Sequence, residues 1–123
     1  MFITADQILL HLVGDYLLQS HWMAQNKTKR DLPCLIHTIL YSLPFLLITT
    51  NPTAILCIWA SHYLIDRHSL AKYVVWAKNG MRGPITPTGY PEDVPPWLAV
   101  WLYIIADNTL HLICNGAILY LAA

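Results

Sequence analysis

With 123 residues, 56% of them hydrophobic and only 11% charged, the chain has room for one domain and carries far less charge than the roughly one quarter usual in soluble ones. Seven basic residues balance seven acidic ones, which leaves no net field to attract nucleic acid and excludes a basic groove for it. The composition is that of an integral membrane protein, expected as a multi-pass protein of the cell inner (plasma) membrane with the lipid bilayer as its first partner.

The first expected helix covers about residues 5–25 and opens on Thr4-x-x-Gln7, a capping-box spacing. No basic region precedes its apolar run, so the segment is expected to be retained rather than cleaved as a signal peptide. The second covers about 32–50, launched by Asp31 with Pro33 in its first turn and kinked at Pro44. Asn51-Pro52 caps a third helix over about 52–78. Residues 79–96, rich in proline and glycine, read as an irregular loop. Pro95-Pro96 then starts a fourth helix over about 97–121.

Four segments of ~20 residues are each long enough to cross ~30 Å of hydrocarbon. The expected fold is therefore an all-α, four-helix transmembrane bundle, one integral-membrane domain over 1–123. Lys27, Lys29 and Arg30 follow the first helix, and Lys78 and Arg82 follow the third. By the positive-inside rule both basic loops face the cytoplasm and both termini lie outside.

Three helices carry a histidine and an aspartate four residues apart: His11/Asp15, His62/Asp66 and Asp107/His111. That spacing puts both side chains on one helix face, one turn apart. The third pair is reversed in sequence on a helix running the other way. All three would then present aspartates at one depth and histidines one turn deeper. His37 on the second helix adds a seventh group, with Tyr41 one turn on.

Buried imidazole and carboxylate together suit a divalent transition metal, zinc ahead of manganese or iron. The expected metal ligands are His11, Asp15, His37, His62, Asp66, Asp107 and His111, enough for one or two ions. Asp15, Asp66, His37 and Arg67 are the candidate catalytic groups. Gln7, Gln19, Tyr103 and Asn115 extend the stripes and would orient ligands. Lys27 and Arg67 would hold an anionic group. Gly14 would admit a close helix neighbour. Cys34, Cys57 and Cys114, isolated and odd in number, argue against a disulfide or cysteine-zinc framework, and Cys114, three residues after His111, fits buried filler better than a ligand.

The run His11-Leu-Val-Gly-Asp15-Tyr-Leu-Leu-Gln19, with Asn26-Lys27 beyond it, resembles the opening signature of a family of small integral-membrane proteins of bacteria and phages. His37, His62-Tyr-Leu-Ile-Asp66 and Asp107-Asn-Thr-Leu-His111 continue the match. The chain is similar, more distantly, to predicted membrane-bound metal-dependent hydrolases. That resemblance implies hydrolysis at a metal, with a lipid, lipid-linked phosphate or other small membrane-adjacent molecule as substrate. It also implies roles for Gln19, Asn26 and Lys27. Two further readings stand beside the hydrolase: a metal-ion or proton transporter or channel, and a structural or phage membrane-interaction protein. An oligomer is compatible with all three.

Overall fold

The computed structural model describes residues 2–123, and its regular elements are all helical. They are α1 (Ala5–Leu12), a π-helical turn (Val13–Leu17), α2 (His21–Asn26), α3 (Asp31–Ser42), a 3-10 turn (Leu43–Leu47), α4 (Pro52–Arg67), α5 (Ala71–Lys78) and α6 (Pro96–Leu121).

Several starts lie where local chemistry dictates. The Asn51 side chain accepts from Thr53 N and Ala54 N at 2.9 and 3.4 Å, and Pro52 occupies the first turn of α4. Pro44 cannot donate into an α-helical ladder, and the chain tightens there into the 3-10 turn. Thr4 does flank α1, but its hydroxyl donates to the Asp6 carboxylate, and it is Asp6 Oδ1 that accepts from Gln7 N at 2.9 Å.

The expectation of a four-helix transmembrane bundle is corrected by the breaks between these elements. Leu18 N reaches back five residues to Val13 O at 3.0 Å, the helix stops, and Ser20 Oγ caps a new one by accepting from Met23 N. The first expected span is therefore two short helices and a π turn. The third breaks after Arg67, where Ser69 adopts a left-handed φ of 49°. Asp31–Leu47 is apolar but short, roughly 25 Å against ~30 Å of hydrocarbon. Among the described residues α6 alone is long and apolar enough to cross a membrane. Multi-pass topology, outward termini and cytoplasmic loops fall with the spans they rested on.

The chain divides into two compact units: residues up to His68 together with His111–Ala123, and Ser69–Leu110. In the second, Val75, Tyr90 and Ala99 form a small core backed by Val94, Leu102 and Ala106. Its irregular segment folds onto α5. Lys78 Nζ donates to Tyr90 Oη at 2.8 Å, and Gly89, at φ 81°, lies so close to the Trp76 backbone that a Cβ would collide.

The first unit buries many polar groups and exposes many large apolar ones. Leu10, Tyr41, Phe45 and Ile58 form an apolar cluster at its centre. Beside that cluster lie buried Gln7, His11, Asp15, His37, Thr38, Ser42, His62, Asp66, His111 and Asn115. Its outer surface instead carries Leu9, Leu17, Leu32, Leu47 and Leu56, each more than half exposed. Water rewards the opposite arrangement.

Candidate metal centre

The π turn positions Asp15, and such turns recur at functional sites because they displace a side chain from the α-helical register. Asp15 reaches the same point as His37 from α3 and His62 and Asp66 from α4. Four atoms meet there: Asp15 Oδ1, His37 Nε2, His62 Nε2 and Asp66 Oδ2. The two imidazole nitrogens are 3.0 Å apart. His37 Nε2 lies 3.2 Å from Asp15 Oδ1 and 3.0 Å from Asp66 Oδ2; His62 Nε2 lies 3.2 and 3.1 Å from the same oxygens. All four residues are at least 94% buried.

Hydrogen bonds alone cannot satisfy this arrangement. Each neutral imidazole Nε2 carries at most one hydrogen yet faces three acceptors, and Asp15 Oδ1 has no hydrogen-bond partner although it is fully enclosed. One cation would serve all four. With ligand distances of about 2.0–2.1 Å, neighbouring ligand atoms stand ~2.9 Å apart at right angles and ~3.3 Å apart in a tetrahedron. The observed separations of 3.0–3.2 Å fall between those limits. The buried His/Asp cluster could hold a metal ion.

Around the four atoms lies a further layer. His111 Nε2 stands 3.0 Å from Asp66 Oδ1, the oxygen turned away from the cluster. His11 Nε2 approaches Asp15 Oδ2 at 3.7 Å, too long for a hydrogen bond. Behind it, Asn115 Nδ2 donates to Tyr41 Oη at 2.7 Å, which frees the phenol hydrogen for His11 Nδ1 at 2.6 Å. In the tautomer that accepts from Tyr41, His11 carries its proton on Nε2, facing Asp15. The Tyr41 ring stacks on His62 with centroids 3.5 Å apart, and His111 stacks on the same imidazole at 4.0 Å. Gly14 makes room for this ring, because a Cβ there would stand 2.5 Å from Tyr41 Cδ2. The Nδ1 atoms of His37 and His62 have no hydrogen-bond partner. Stacking sets the His62 ring, and tilted packing against His62 and Tyr41 sets the His37 ring.

Lys27 comes from the turn between α2 and α3 and places Nζ 2.9 Å from Asp66 Oδ2. Arg67, expected to bind an anion or act in catalysis, is engaged elsewhere. Its Nε donates to Asp31 Oδ1 and its Nη1 to Thr28 O, both at 2.8 Å. The guanidinium and the Tyr63 hydroxyl beside Asp31 hold its carboxyl below the usual carboxylate range.

The expected ligands therefore separate into classes. Asp15, His37, His62 and Asp66 supply the converging atoms. His11 and His111 contact the outer carboxylate oxygens. Asp107, like Tyr103, belongs to the second unit and is half-buried. Asn115 orients through Tyr41. Gln7 is buried with its Oε1 unpartnered, and Gln19 Nε2 donates to the backbone of Asp15 at 3.1 Å, steadying the π turn. Tyr41 is the group that spacing undervalued, and its position one turn beyond His37 was the available signal.

The fold and site define an all-α protein with a buried, metal-competent His/Asp cluster. The chain belongs to the family described as protein of unknown function DUF3307, whose pattern matches residues 3–122. No curated protein and no solved structure matches it, so the likeness to metal-dependent hydrolases drawn from sequence finds no support among them.

Proposed function

We propose that the chain is a metal-dependent hydrolase working at a membrane, on a lipid, lipid-linked phosphate or other membrane-adjacent substrate. The observation that carries this reading is the convergence of Asp15 Oδ1, His37 Nε2, His62 Nε2 and Asp66 Oδ2 in a buried site. Two imidazoles and two carboxylates favour zinc, manganese or iron over the all-oxygen shells of magnesium and calcium. A divalent ion held there supplies Lewis acidity and a water that is nucleophilic at neutral pH.

The chain's own groups do the rest. His111, 3.0 Å from the outer oxygen of Asp66, is the group placed to hold or move a proton there, while His11, held by Tyr41 and backed by Asn115, lies 3.7 Å from Asp15 Oδ2 and packs that side of the site. Lys27 brings a positive charge to the edge of the cluster, where an anionic substrate group would be held. The lipid-facing reading rests on the exposed leucines of the first unit, on α6, and on exposed Tyr73, Trp97 and Trp101 in the second unit, side chains typical of a membrane interface.

The test is phosphate release from vesicles of phosphatidate and from a soluble phosphate monoester by purified, metal-loaded protein. Activity that a chelator abolishes, added metal restores and Asp66→Asn lacks is the expected result. Metal-loaded protein inert toward phosphate and carboxylate esters alike would refute the hydrolase.

One observation favours transport as a second reading. A polar hollow of about 280 Å³, lined by Thr4, Asp6, Gln7 and Thr49 among others, lies at the end of α1 from which Gln7, His11 and Asp15 follow one another. Metal uptake into proteoliposomes that His111→Ala abolishes would put transport first.

A further inference from the structure

Two adjacent residues at the end of α4 grip two adjacent residues of the turn that precedes α3. Asp66 Oδ2 contacts Lys27 Nζ at 2.9 Å, and Arg67 Nη1 donates to the Thr28 carbonyl at 2.8 Å. The same guanidinium uses Nε to hold Asp31 Oδ1 at 2.8 Å, and the Tyr63 hydroxyl donates to that oxygen at 3.1 Å. Inside the turn, Lys29 N and Arg30 N both donate to Asn26 O at 3.0 Å. The backbone carrying Lys27 is thus tied to α4 by a planar fork whose two directed donors a lysine could not reproduce.

We infer that Arg67 is a positioning residue: its fork to Thr28 and Asp31 fixes the turn so that the Lys27 ammonium stands over the metal cluster as the receptor for an anionic substrate group. This rests on the metal reading above and gives its substrate a chemistry, a phosphate or another compact anion. An unanchored lysine on an exposed turn would spend most of its time in solvent, because its flexible stem loses substantial rotamer entropy on being held. The Arg67 fork pre-orders the backbone, and the Asp66 contact orders the head group. Both arms lie in one compact unit, and the Arg67 hydrogen bonds go to Asp31 and Thr28 rather than to the four converging atoms.

The experiment measures inorganic phosphate affinity of the full-length, metal-loaded protein by calorimetry, beside its metal content and helical circular dichroism. Lys27→Met should weaken phosphate binding roughly 10- to 100-fold, the worth of one charge-assisted contact. Arg67→Ala and the exposed-side Asp31→Asn should each weaken it by several-fold to about tenfold with metal content unchanged, and Arg67→Lys should not rescue. The deciding readout is the double variant Arg67→Ala/Lys27→Met, expected to be no weaker than Lys27→Met alone. Full additivity, or phosphate affinity indifferent to Lys27, would overturn the inference while leaving the metal site standing. A well-folded chain that takes up no metal would remove the reading beneath it, and the inference with it.

Discussion

Replacing Gly14 with alanine separates this account from a generic helical one by the sign of the effect. In an ordinary helix interior the change stabilises by up to ~1 kcal/mol, because glycine loses more backbone entropy on folding. Here the new Cβ would stand 2.5 Å from Tyr41 Cδ2 and 3.1 Å from two more ring atoms. Carbon contacts settle near 3.5 Å or more, so the ring must retreat by about 1 Å. Tyr41 has nowhere to go: it is wholly buried, stacked on His62 and bonded to both His11 and Asn115. Overpacking typically costs about 1–3 kcal/mol, and weakening a buried hydrogen bond about 1–3 kcal/mol more. Gly14→Ala should thus lower unfolding stability by about 1–5 kcal/mol after the helix-propensity gain is subtracted. The assay is denaturant titration in mild detergent, followed by far-ultraviolet circular dichroism, with zinc affinity measured in parallel. A Gly14→Ala protein as stable as the parent, or more so, with unchanged zinc affinity, would refute the proposed packing of Tyr41 against the site.

Tyr41→Phe keeps the ring on His62 but strips the hydroxyl from between His11 and Asn115. It should cost about 1–3 kcal/mol through the groups left unpaired and weaken metal binding roughly 10-fold or more, read by competition with a chromogenic chelator. Asp66→Asn should lose stoichiometric metal, since it removes a ligand charge and the Lys27 contact together; elemental analysis decides. His111→Ala should retain metal at reduced affinity, because His111 Nε2 meets the outer oxygen Oδ1 of Asp66 and its ring stacks on His62; complete loss would make it a ligand. Asn51→Ala removes the side-chain cap of α4 and should cost about 1 kcal/mol without changing metal affinity, a control on the helix that carries both His62 and Asp66.

Helix starts were the most legible part of the fold, because each is written in short-range chemistry: Asn51-Pro52, Asp31 with Pro33, Pro95-Pro96. Helix ends were not. The break after Leu18 and the left-handed Ser69 carry neither glycine nor proline, so apolar runs read as continuous spans where the helices break. Treating those runs as four membrane crossings followed from composition, and composition is insensitive to breaks.

Of the candidate site, spacing placed the right residue types on common faces, since four residues is one turn wherever the helix is regular. The π turn at Asp15 lies beyond that rule. So does the direction of a long side chain: Arg67 follows Asp66 in sequence yet reaches Asp31, whereas Lys27, distant in sequence, reaches Asp66. Tyr41 was visible as a residue four beyond His37, but its phenol bridge to His11 and Asn115 depends on three elements that only folding brings together.

The most direct test is elemental analysis joined to X-ray absorption at the metal edge, on protein purified without chelators. The account predicts near-stoichiometric transition metal with a mixed nitrogen and oxygen shell at about 2.0–2.1 Å, lost in His62→Ala. Fully helical protein that holds no metal and takes up none on titration would contradict it.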